Sequence, residues 1–202
     1  MNMLGYEAQN MKFGMCGWTA DPAVSLEKWD NAVGDAYADW LVTETSSADV
    51  EYSFPELETD KTTAEDILLD RAQAYLEAGW KKISAAALYE DIEINNNGDD
   101  YFIVNYFAPA QYDAGHIPGA VRFQPKESLH SDNMLKYLPT DKKIVVYCFT
   151  GQTSSQIVSY LNSIGYDAYS LLYGVNGMCF SNGAICTTRY HAPDSNYPVV
   201  SG

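Results

Sequence analysis

Positive charge is scarce in this sequence. Its 202 residues hold 12 Lys and Arg against 27 Asp and Glu, a formal net charge of −15. Such a surface repels nucleic acid and anionic lipid, which argues against both as partners. Long apolar runs are also missing, so no membrane insertion is expected of this chain. The N-terminus lacks a basic start followed by an apolar stretch and does not read as a secretory leader. The cysteines, Cys16, Cys148, Cys179 and Cys186, form no C-x-x-C pair and no finger spacing, so no metal site is expected from them. Cys179 and Cys186 have six residues between them, close enough for a disulfide in an oxidising compartment. One further absence concerns a single loop: no charged residue lies between Cys148 and Asp167.

What is present is globular. The hydrophobic fraction of 47% and aromatic fraction of 13% can build one domain with a sizeable core. The acidity is uneven. Residues 19–100 carry 20 Asp or Glu against 5 Lys or Arg, whereas residues 101–202 carry 6 of each. The excess reads as a solvated acidic face. The half that holds Cys148 is neutral and leaves room for a small anionic substrate.

The chain partly repeats itself. Residues 1–18, "MNMLGYEAQNMKFGMCGW", align without gaps on residues 161–178, "LNSIGYDAYSLLYGVNGM", with six identities that include three glycines. Each glycine reports a backbone requirement, so the match reads as the tail of a preceding copy of one domain. Residues 19–59 follow as an irregular acidic connector without sustained period. In "TTAEDILLDRAQAYLEAGW", Thr62 and Glu65 suggest a capping box, apolar positions recur at helical spacing, and Gly79 is a stop. A short helix is expected through "SAAALYEDI" and strands at "YFIVNYF", at the end of "YDAGHIPGAVRF", at "KKIVVY" and at "AYSLL". "SSQIVSYLNSIG" reads as a helix ending at Gly165. Alternating strands and helices predict an α/β fold with a central, mostly parallel sheet flanked by helices. Ligands of such sheets bind at the carboxyl ends of strands, and Cys148 sits at one of them.

A cysteine in a strand is ordinarily an inert small hydrophobe. Cys148 differs because it follows its strand. The next residues, "FTGQT", contain a Gly and small hydroxyl side chains that let the backbone curl, and they feed a helix N-terminus. Unpaired N–H groups and the helix dipole would then stabilise an anion in the loop, either a persulfide or a phosphate-like oxyanion.

"YDAGHIPGAVRF", then "VVYCFTGQTS", then "GYDAYSLLYGVNGM" together resemble the rhodanese-like domains over about residues 82–178. The resemblance implies a rhodanese-like fold and a sulfurtransferase without metal or organic cofactor. Cys148 would carry the sulfur, and Phe149, Thr150, Gly151, Gln152 and Thr153 would form the cradle. The partners implied are a small sulfur donor such as thiosulfate or a persulfide, and a thiol or cyanide acceptor, protein thiols included. Two departures stand out. Where family members usually have Asp and, two residues later, Arg, this chain has Asn105 and Phe107. Members selective for thiosulfate usually carry a cation in the loop, and here thiosulfate would have to rely on backbone N–H groups or on Arg122, Arg189 or lysines elsewhere.

Two other functions fit parts of the pattern. A cysteine phosphatase or arsenate reductase of similar fold needs an Arg six residues after the nucleophile, and Ser154 stands there. A catalytically silent rhodanese-like module would use the same fold for binding or regulation, though silent members generally lack the loop cysteine. His116 reads as structural, bonding backbone groups. The division expected is residues 1–18 as the repeat tail, 19–59 as the connector, 60–192 as the domain and 193–202 as a C-terminal tail. Tandem members are often exported, so the compartment leans extracytoplasmic if an upstream segment is missing from this sequence, and cytoplasmic otherwise.

Overall fold

A computed structural model describes residues 2–193 and 196–200; Asp194, Ser195, Ser201 and Gly202 of the expected C-terminal tail lie outside the described residues. Five strands form one all-parallel sheet: β1 (Lys82–Ile83), β2 (Tyr101–Asn105), β3 (Val121–Arg122), β4 (Lys143–Tyr147) and β5 (Ala168–Leu171), in the order β1-β5-β4-β2-β3. Strand β4 is central. Its Ile144, Val145, Val146 and Tyr147 are fully buried because both faces are covered, which explains the unbroken apolar run. Ile144 and Val146 join the cluster under the longest helix of the cysteine half, while Val145 and Tyr147 face a second cluster.

The helices are α1 (Pro22–Ser25), α2 (Ala64–Ala78), α3 (Ala85–Tyr89), α4 (Pro109–Ala114) and α5 (Gln152–Ser163). The cap of α2 is one residue later than Thr62: Thr63 Oγ1 accepts from the Asp66 amide at 3.2 Å and donates to the Asp66 carboxylate at 2.7 Å. Either threonine fits the pattern, and the first turn of acidic residues follows Thr63. Helix α4 lies where the sequence suggested only a turn. Its Pro109 presets the first helical residue, and six residues are too short to display a period. The two-residue β1 was likewise not anticipated.

Residues 19–59 carry no strand of the sheet, yet they are bonded onto the domain. Val42 and His116 exchange both backbone hydrogen bonds, at 2.8 and 2.9 Å. Farther along, Tyr37 donates to Met178 O and Tyr52 to Lys136 O. Buried His116 stacks on Tyr112, and its ring nitrogens face the backbone carbonyls of Tyr112 and Glu44 at 2.8 and 2.9 Å.

The internal repeat recurs in the backbone. Gly5 and Gly165 both have positive φ, and each closes a turn by donating to an asparagine carbonyl three residues back, Asn2 or Asn162. Phe13 and Tyr173 both enter the left-handed region, with φ of 63° and 61°, and each opens a four-residue 3₁₀ turn. The amides of Trp18 and Thr19 converge on Met15 O as those of Met178 and Cys179 converge on Val175 O. A left-handed bulky residue is uncommon, so two at equivalent positions are not generic loop geometry. Both rings then meet edge-on at one indole, Trp29, with centroids at 4.9 and 5.0 Å.

Candidate active site

Cys148 is the first residue beyond β4, at the carboxyl end of the sheet, and is 4% exposed. Phe149 and Thr150 lead to Gly151, whose φ of 78° turns the chain into α5. Helix α5 begins at Gln152, two residues before the expected start, so Gln152 and Thr153 form its first turn rather than free loop. Amides of its first turn are taken up by the loop, Gln152 N donating to Thr150 Oγ1 at 3.5 Å. The Ser154 amide donates to Cys148 Sγ at 3.4 Å, and Ser154 Oγ lies 3.7 Å from the same sulfur.

The Ser154 hydroxyl has alternatives. It bonds Gly151 O at 3.0 Å and Ser170 Oγ at 2.8 Å. Gly151 O also accepts from Ser155 Oγ at 2.6 Å and the Ser155 amide at 3.0 Å. The hydroxyl can therefore turn to a sulfur anion without leaving that carbonyl unpaired. A buried sulfur anion so placed would have one amide, one hydroxyl and the positive end of a twelve-residue helix around it.

The loop is braced from behind. Val175 donates to Cys148 O at 3.1 Å, and the amide and side chain of Asn176 donate to Phe149 O at 3.2 and 2.6 Å. Asn176 is fully buried, gives a second side-chain bond to Thr188 O at 2.9 Å and accepts from the Tyr190 amide at 2.7 Å. Gly174 is required here, because a Cβ on it would overlap the carbonyl oxygen of Cys148 and approach Phe149 O to 2.8 Å. The sequence offered no sign of Ser154, Ser170 or Asn176 as positioning residues, since buried Ser and Asn have no periodic signature.

Asn105 and Phe107 also meet at this site. Asn105 is fully buried at the end of β2, and its Nδ2 donates to Tyr147 Oη at 2.7 Å; the same oxygen accepts from the Ile117 amide at 3.2 Å. Burial pushes the Tyr147 phenol well above its ordinary range, which keeps it neutral. Phe107 stacks on Phe149 with centroids 4.5 Å apart and planes within 14°. The stack fixes the residue after the sulfur.

Neither arginine named from the sequence is committed to the loop. Arg122 bonds Gln124 at 2.7 Å, and Arg189 bonds Cys186 O and Ser181 O at 3.2 and 2.9 Å. Thr150 is buried, Gln152 half-buried, and Thr153 exposed. Cys179 and Cys186 are buried free thiols rather than a disulfide. Burial, with Cys186 nearby, pushes the Cys179 thiol up to about 12, and burial raises Cys186 as well. Such thiols are poor nucleophiles.

Comparison with known proteins identifies the family of this region. The family model of the Rhodanese-like domain matches residues 84–179. A thiosulfate sulfurtransferase GlpE of Pseudoalteromonas translucida is 31% identical over 96 residues, 46% of this chain and 82% of that protein. A tRNA sulfurtransferase of Pyrobaculum aerophilum is 34% identical over 89 residues, 44% of this chain but only 18% of that protein's length. Among solved structures, a rhodanese-related protein from Thermoplasma volcanium is 25% identical, covering 60% of this chain and 98% of that one with a TM-score of 0.43. The chain belongs to the rhodanese-like domain family. Among the described residues, no helix is long and apolar enough to cross a membrane.

Proposed function

We propose that this chain is a sulfurtransferase that carries sulfane sulfur on Cys148, with Phe149, Thr150, Gly151, Gln152 and Thr153 as the cradle. The observation that carries the reading is the Ser154 amide, in the first turn of α5, aimed at Sγ from 3.4 Å. Relatives named as sulfurtransferases support the class of reaction. In the first step the Cys148 thiolate attacks the outer sulfur of a donor. A new S–S bond forms and the old one breaks, leaving a Cys148 persulfide and releasing sulfite from thiosulfate or a thiolate from an organic persulfide. In the second step a thiolate or cyanide attacks the outer sulfur, takes it, and restores the Cys148 thiolate. The helix N-terminus and the Ser154 groups stabilise the anion in both states.

With no cation in the loop and Phe107 stacked on Phe149, the thiosulfate dianion meets no fixed countercharge at the sulfur. A persulfide donor is expected to load Cys148 better than thiosulfate does. Intact mass after each donor, beside Cys148→Ser, tests this. One added sulfur, removed by cyanide or reductant and absent in the variant, is expected. A chain that gains no sulfur from either donor would sink the reading and leave the silent binding module in its place.

The same proposal takes residues 1–18 as the tail of a preceding repeat, residues 19–59 as an acidic connector and residues 60–192 as the sulfur-carrying domain. The recurrence of two positive-φ turns at a spacing of one repeat supports the first of these.

A further inference from the structure

Beside the cysteine loop lies an open pocket of about 580 Å³, walled by Thr150–Gln152, by the two left-handed turns at Phe13 and Tyr173, and by Trp29 and Trp80. Among the described residues, its only charged lining residues are Lys28 and Lys82. In a chain with more than twice as many acidic as basic residues, a pocket lined by no carboxylate is a local inversion of charge. Neither lysine has an acidic partner within salt-bridge distance among the described residues, whereas Lys61, Lys81 and Lys136 each have one. Lys82 Nζ sits 4.9 Å over the Trp80 ring, which holds its charge at the rim. Trp29 is 7% exposed and clamped by Phe13, Tyr173 and Tyr190, so one wall is apolar and rigid. Lys28, Trp29, Trp80 and Lys82 all lie outside residues 84–179, the segment shared with the family.

We propose that this pocket receives the anionic part of an organic sulfur compound bearing carboxylate groups, a low-molecular-weight thiol or its persulfide. The sulfur function assigned to the ligand rests on the sulfurtransferase reading; the anion site does not. Two lysines supply the countercharge that the loop lacks, and the aromatic wall takes the ligand's carbon skeleton. Size points to an organic molecule, because cavities of about 300–1,000 Å³ suit molecules far larger than an inorganic dianion. Thr150, Gly151 and Gln152 of the cysteine loop line the pocket, so a ligand held there contacts that loop.

The test uses the full chain with Cys148→Ser, in which no sulfur can be carried, and S-methylglutathione as an unreactive carboxylate-bearing probe. Trp29 and Trp80 report binding by their fluorescence. A saturable change is expected, with Kd raised about three- to tenfold by Lys28→Gln and Lys82→Gln together, as the loss of two exposed charge contacts implies. Lys126→Gln, at an exposed site away from the pocket, leaves Kd unchanged. No saturable change, an unaltered Kd in the double variant, or an equal response to sodium thiosulfate alone would overturn the proposal. Failure of Cys148 to take up sulfur while the probe still binds would count against the sulfurtransferase reading and not against the pocket.

Discussion

Cys148 is held by residues whose side chains are unremarkable and whose positions are not. Gly174 is the sharpest case, because it combines a φ of 53° with a carbonyl already where a Cβ would go. Gly174→Ala is expected to cost roughly 2–4 kcal/mol from left-handed strain and overpacking. That is a fall of roughly 5–15 °C in Tm for a chain of this size. The change also displaces Cys148, so sulfur loading by intact mass should fall more than folding does. A variant that loads like the parent with unchanged Tm would refute the close approach. Cys148 itself was legible in the sequence because an apolar run, a glycine and a helix pattern bracket it. Ser154 and Asn176 were not, since their value lies in which atoms they meet: the sulfur in one case, Phe149 O in the other.

At the level of elements, legibility followed length and periodicity. Strands β2, β4 and β5 were readable as apolar runs between turn residues, and α5 as an amphipathic stretch ending near Gly165. Helix α4 and strand β1 were too short to leave a pattern. The backbone bonds of residues 34–46 onto Met178, His116 and the end of the sheet could not be read at all, because irregular chain pairs through peptide groups common to every residue. The repeat is the instructive exception. Two of its three glycine pairs, Gly5/Gly165 and Gly14/Gly174, have positive φ, whereas Gly17 and Gly177 do not, and residues 8–11, which correspond to β5, join no strand among the described residues. The turns are fixed locally, whereas a strand exists only where a neighbour pairs with it. The two lysines of the pocket belong to a connector and a strand edge, and only folding brings them to one cavity.

For the whole molecule, the buried thiols and phenols set the alkaline limit. Cys179 titrates near 9.0 when unfolded and at about 12 when folded, and Cys186, Tyr147 and Tyr166 are shifted in the same direction by burial. Above the unfolded values the unfolded chain binds fewer protons than the folded one, so stability falls as pH rises. The contribution of these groups is complete below about pH 9 and is lost between there and about pH 12. Thermal unfolding followed by circular dichroism should show a Tm that is level between about pH 7 and 8.5 and declines above about 9. A Tm that climbs through that range would show that the cores described for Cys179 and Tyr147 are not closed.

The hydrogen bond from the Ser154 amide to the sulfur has a spectroscopic consequence. An amide proton aimed at a sulfur feels any change in that sulfur's charge and size before any other backbone group does. In a ¹⁵N-labelled sample the Ser154 cross-peak should therefore move when Cys148 takes up sulfur and return when cyanide removes it, while the peaks of Ile144 and Val145, farther down the strand, stay in place. Under the proposed function the chain would carry its own gauge of occupancy, readable in solution without a coupled assay or a label on the cysteine.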